Sequence, residues 1–137
     1  MRFFRGIIAS MAVVGVLACG GDKTGPDEGS GGTGTTLSGT YKLKSVAGQS
    51  LPIEDPESGS SLDSGSAAFT TDGNVTVKFN FTGEADESYT GTYVRNDADV
   101  TVTLDDAGET FELPGTVSNN GNRITIDLGG APLVFEK

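Results

Sequence analysis

Val75, Val77, Phe79 and Phe81 alternate with Thr76, Lys78, Asn80 and Thr82. Successive side chains of a β-strand point to opposite faces, so this run predicts a strand with one buried and one wetted face. The same period recurs along the chain. Tyr41 and Leu43 alternate with Lys42 and Lys44, and Tyr89, Gly91 and Tyr93 share a face. Val100, Val102 and Leu104 alternate with Thr101 and Thr103; Phe111 and Leu113 follow; Ile124, Ile126 and Leu128 alternate with Thr125 and Asp127; Leu133-Val134-Phe135 closes the series. Thr71-Asp72-Gly73-Asn74, Arg95-Asn96-Asp97, Asp105-Asp106-Ala107-Gly108 and Asn119-Asn120-Gly121-Asn122 separate these runs. Their Gly, Asn and Asp tolerate the left-handed backbone of tight turns. Pro114 has no amide hydrogen and restricts its strand to an edge, an end or a bulge.

Turns this short can only reverse the chain, so the strands form an antiparallel meander. Residues 91–104 align without gaps on residues 115–128, each a strand, a tight turn and a strand. A true duplication and the ordinary regularity of a meander both account for this. In total about eight strands are expected, with no helix in residues 37–137. An open meander leaves two unpaired edges, and closing it removes them. The expected fold is therefore all-β, a small antiparallel up-and-down barrel. Its inward set comprises Tyr41, Leu43, Phe69, Val75, Val77, Phe79, Phe81, Tyr89, Tyr93, Val100, Val102, Leu104, Phe111, Leu113, Val117, Ile124, Ile126, Leu128 and Phe135. So many large rings in short strands are expected to fill the interior. Any cavity should be small and lie near the mouth, under an acidic loop read from Ala47 to Ser66.

The N-terminus is of another kind. Arg2 and Arg5 precede an uncharged apolar run from Gly6 to Leu17, and the small Ala18 stands before Cys19. These are the parts of a secretory signal, and the run is shorter than the ~20 residues needed to span a bilayer as a helix. Residues 1–18 thus read as a signal peptide. Gly20 to Thr36 is rich in Gly, Ser and Thr and has no Leu, Ile, Val or aromatic residue. It has too little apolar surface to offset its conformational entropy, so residues 19–36 read as a flexible linker and residues 37–137 as the folded domain.

Val16-Leu17-Ala18-Cys19 resembles the lipobox of bacterial lipoproteins. The resemblance implies a diacylglycerol thioether on the Cys19 sulfur and a fatty amide, such as palmitate, on its nitrogen. It further implies a lipid-anchored place in the cell envelope, with Gly20 in the position after the cysteine pointing to the outer membrane. The alternative is an ordinary cleaved signal with a chance cysteine. Gly39-Thr40-Tyr41, Ser45-Val46-Ala47-Gly48-Gln49-Ser50-Leu51-Pro52 and Gly91-Thr92-Tyr93 are similar to segments of the lipocalin-like domains of bacterial lipoproteins. That resemblance implies a lipocalin-like barrel and a small apolar ligand.

Charge and chemistry narrow the function. The chain carries a net charge of −10. Without Arg2 and Arg5, seven basic side chains remain against 19 acidic ones, near −12. Such a surface repels nucleic acid, so no nucleic-acid partner is expected. The chain has no histidine, and Cys19 is its single cysteine. His-based triads and Cys/His metal sites are therefore absent, and no catalytic residue, metal ligand or cofactor is assigned. Glu54/Asp55/Glu57, Asp86/Glu87 and Asp105/Asp106/Glu109 are carboxylate clusters in predicted loops, without the spacing of a calcium-binding EF-hand loop. The reading is a non-enzymatic, membrane-tethered envelope protein. Its partner is either a small apolar ligand or an envelope protein bound through the loops or the acidic surface, by residues the sequence leaves unknown. Tyr89 and Tyr93 are read as core residues in preference to ligand contacts.

Overall fold

The computed structural model describes residues 36–137; residues 1–35, with the segment read as a signal peptide, Cys19 and nearly all of the expected linker, lie outside the described residues. The strands are β1 (Gly39–Val46), β2 (Gln49–Ser50), β3 (Ile53–Asp55), β4 (Ser60–Phe69) and β5 (Asn74–Thr82). They continue with β6 (Glu87–Asn96), β7 (Asp99–Asp106), β8 (Glu109–Ser118), β9 (Arg123–Leu128) and β10 (Ala131–Glu136). Every pairing is antiparallel, each of β4 to β10 lies beside its sequence neighbour, and β1 pairs with both β10 and β4. The last contact closes the barrel, from Gly39 opposite Phe69 to Lys42 opposite Ser66. Eight strands thus form a closed all-β barrel, with β2 and β3 added beside it.

The alternating runs became strands for the predicted reason. Val75, Val77 and Phe79 are buried on β5 while Asn74, Lys78 and Asn80 are exposed. All nineteen inward positions face the core: seventeen are buried, and Phe81 and Phe111 are half-buried. Tyr41, Leu43, Phe69, Val102, Ile124, Ile126 and Phe135 are among those exposed by no more than 5%. Leu37, Val46, Leu62, Ala67, Ala131 and Leu133 join the core as well. Rings fill much of the space: Tyr41 meets Phe69 edge-on at 5.5 Å, Phe69 meets Tyr93 at 5.1 Å, and Phe79 meets Tyr89 at 6.3 Å. Edge-to-face packing of this kind adds to the area the rings bury.

Gly91 and Gly115 occupy equivalent places in the 24-residue repeat and are needed for close approach. A Cβ at Gly91 would overlap the Thr103 carbonyl oxygen, and one at Gly115 would lie 2.5 Å from the Thr125 carbonyl oxygen. Without a side chain at these points, β6 and β8 can approach the neighbouring strand closely.

The loop expected from Ala47 to Ser66 is shorter than read and contains structure. Residues 49–50 pair with the end of β1, residues 53–55 pair with β4, and β4 itself starts at Ser60. Ser and Gly are poor strand formers, but pairing with β3 over Ser60–Leu62 and with β5 from Ser61 onward holds this backbone extended, and Leu62 anchors it in the core. Pro114 falls within β8, whose ladder with β9 covers only Gly115–Ser118; at Pro114 the strand is an edge on that side.

Candidate functional site

The two ends of the barrel differ in chemistry. One end carries the 47–59 loop, the 83–86 loop and the turns at 107–108 and 129–130. The sequence spreads Glu54, Asp55, Glu57, Glu84, Asp86, Asp105, Asp106 and Glu109 over more than fifty residues, and the meander brings all eight to this end. These loops and turns contain no Lys or Arg. The three predicted carboxylate clusters are therefore one acidic rim, which strand alternation alone did not reveal.

This end is also the looser one. β1 pairs with β4 only at its far half, β6 leaves Asn80–Thr82 of β5 unpaired, and β8 leaves β9 beyond Gly115. Phe81 and Phe111, expected in the core, are only half-buried here because the neighbouring ladders have ended. Leu51 and Ile53 of the added segment are half-buried too, and Ile53 stands opposite Leu62, itself opposite Phe81. The mouth is thus apolar inside an acidic rim.

Local hydrogen bonds hold the rim in shape. Ser60 Oγ donates to Glu84 at 3.3 Å, linking the start of β4 to the 83–86 loop, and the Asp86 carboxylate accepts from the Phe81 amide at 3.0 Å. Asp55 accepts from the Glu57 amide at 2.9 Å, and this bond, with the Ser58 hydroxyl, holds its carboxyl below the usual carboxylate range. Asp63 is lowered likewise by the hydroxyls of Ser61, at 2.6 Å, and Thr82. A cleft of about 410 Å³ lies between Glu54, Asp55, Pro56, Ser60, Ser61 and Thr82. No group of three or more metal-ligating side chains gathers among the described residues.

The interior offers little room. Tyr41, Leu43, Val77, Phe79, Val102, Leu104, Ile126 and Phe135 are at most 5% exposed. A water-filled cup would leave accessible surface on such side chains. Tyr89 and Tyr93, weighed as ligand contacts, are buried and engaged: Tyr89 donates to Glu87 at 2.6 Å and Tyr93 to the Leu37 carbonyl at 2.8 Å. Burial raises both phenols above their ordinary range, and the Glu87 carboxylate raises Tyr89 further. Cys19 lies outside the described residues.

No family model matches the sequence, and no curated protein matches it. Among solved structures the chain is similar to a lipocalin-like protein from Bacteroides uniformis. The identity is 15%, the TM-score 0.49, and the match covers 74% of this chain and 97% of that one.

Proposed function

We propose that this is a lipid-anchored, non-enzymatic envelope protein whose barrel recognises a basic, partly apolar protein segment at its acidic end. The observation that carries the reading is the packed interior beneath an apolar mouth ringed by carboxylates. A filled barrel leaves its surface to bind with. Leu51, Ile53, Phe81 and Phe111 supply apolar contact, and the rim supplies charge that steers a cationic partner and fixes its register. Cys19, as the lipid-bearing residue, and the linker would hold the domain off the membrane. Two or more acyl chains anchor firmly where one does not.

A second reading is a binding module for a small apolar ligand. The half-buried Phe81 and Phe111 favour it, and such a ligand would sit at the mouth and not deep in the barrel.

The test uses a peptide of alternating Lys and Leu, titrated into the protein by fluorescence anisotropy. The double variant Glu54→Gln/Glu57→Gln should weaken binding, and added salt should do the same. Asp72→Asn/Asp99→Asn, with the same charge change at the other end, should not. Equal weakening by both pairs would mean mere charge attraction and would sink the proposal. The anchor is tested separately: Cys19→Ser should release the protein from the membrane fraction, and retention after a high-salt wash would refute it.

A further inference from the structure

A cleft of about 570 Å³ opens at the end opposite the acidic rim. We propose that it binds a phosphorylated polyol, a class of ligand that the acidic mouth would repel.

The cleft is within the size range of small-molecule sites. Its floor includes Tyr41, whose hydroxyl donates to the Gly121 carbonyl at 2.7 Å. The Lys137 amide donates to the Asn122 carbonyl, and the Asn122 amide to that of Asn119, each at 3.0 Å. These bonds fix the 119–122 turn, where Asn119, Asn120 and Gly121 all have positive φ, and present Asn120 and Asn122 to the cleft.

Arg95 and Lys137 both line it. Arg95 Nε donates to the Asp97 carbonyl at 2.7 Å, which orients the guanidinium, and Lys137 Nζ stands 5.0 Å from the Tyr41 ring centroid. The other basic residues among the described ones are elsewhere: Lys42, Lys44 and Lys78 are exposed on strands, and Arg123 pairs with Glu136 at 2.5 Å. A guanidinium and an ammonium match the oxygens of a phosphate. The Asn120 and Asn122 amides, the Ser118 hydroxyl and the Asp97 carboxylate supply donors and acceptors for the polyol hydroxyls.

Two sources share this chemistry, a soluble sugar phosphate and the glycerophosphate headgroup of a lipid. Thr36, on the cleft rim, leads back along the chain toward Cys19. The test uses the chain from residue 19 carrying Cys19→Ser, which keeps the whole barrel and removes any lipid of its own. Isotope-labelled protein is titrated with glucose phosphate and with glucose, following the Gly121 and Asn122 amides. Co-sedimentation compares vesicles of phosphatidylglycerol and phosphatidylcholine. Saturable shifts with glucose phosphate but not glucose assign the soluble source. Sedimentation with phosphatidylglycerol alone assigns the headgroup, and both together support the shared chemistry. Lys137→Gln and Arg95→Gln should each weaken the response at least about tenfold, and Lys44→Gln should leave it unchanged. Because Arg95→Gln also loosens its turn, Lys137→Gln is the deciding variant. No response to either phosphate source, equal response to glucose, or full binding by Lys137→Gln overturns the proposal.

Discussion

The Tyr93 hydroxyl donates to the Leu37 carbonyl at 2.8 Å and lies 2.9 Å from the Thr70 carbonyl, so one phenol ties the start of the folded domain to the β4–β5 turn. Leu37 is itself buried, and the Tyr93 ring packs edge-on against Phe69. This is where the barrel end is sealed, next to the strand pair β1–β4 that closes the sheet.

Tyr93→Phe keeps the ring and removes the hydroxyl, taking the donor from the Leu37 carbonyl, while the Thr70 carbonyl keeps the Gly73 amide at 3.1 Å. The expected cost is about 1–3 kcal/mol, the usual penalty for an unmet buried polar group. Urea denaturation measures it; a change within about ±0.5 kcal/mol, typical of a surface site, would show that the tie contributes nothing.

Alkaline pH should destabilise the fold. Burial, and for Tyr89 also Glu87, raises the folded-state pKa of Tyr89 and Tyr93. Raised phenols stabilise fully below the unfolded pKa, about 10. Above it the unfolded chain ionises first, and the stability is lost as pH rises toward the folded pKa. Urea midpoints should therefore fall above about pH 10, and Tyr89→Phe should flatten the fall. A midpoint insensitive to pH there would contradict the burial.

Gly91→Ala places a methyl group on the Thr103 carbonyl, in backbone that has no flexible side chain to move aside. Overpacking of this kind costs about 1–3 kcal/mol or more. Gly108→Ala, where a Cβ meets nothing within 4 Å, carries only the strain of its φ of +93°. Thermal melts should rank Gly91→Ala as the more damaging; the reverse order would mean that strand contact is not what requires the glycine.

Much of the fold was legible because period 2 and turn residues agree at the same places. Val75 to Phe81 announced β5, and Asn119 to Asn122 announced a reversal that the structure builds with positive φ. The closing of the meander followed from its unpaired edges. What stayed hidden depends on pairing. Ser60 to Ser66 has no apolar alternation, and pairing with β3, β5 and, at Ser66, β1 makes a strand of it. Phe81 and Phe111 alternate correctly, yet the sequence does not say where a ladder stops. The acidic rim was present as three separate clusters, and the opposite cleft as residues 36, 95, 120 and 137, which no spacing rule connects.

Titration with an environment-sensitive fluorescent fatty acid, cross-checked by calorimetry, tests most directly whether this barrel binds at its end or within. With Tyr41, Phe69, Phe79, Phe135 and Val102 each at most 3% exposed, the account predicts weak or no saturable binding of a long acyl chain. Saturable one-to-one binding tighter than about micromolar, some −8 kcal/mol, would show an interior open to ligand and would contradict it.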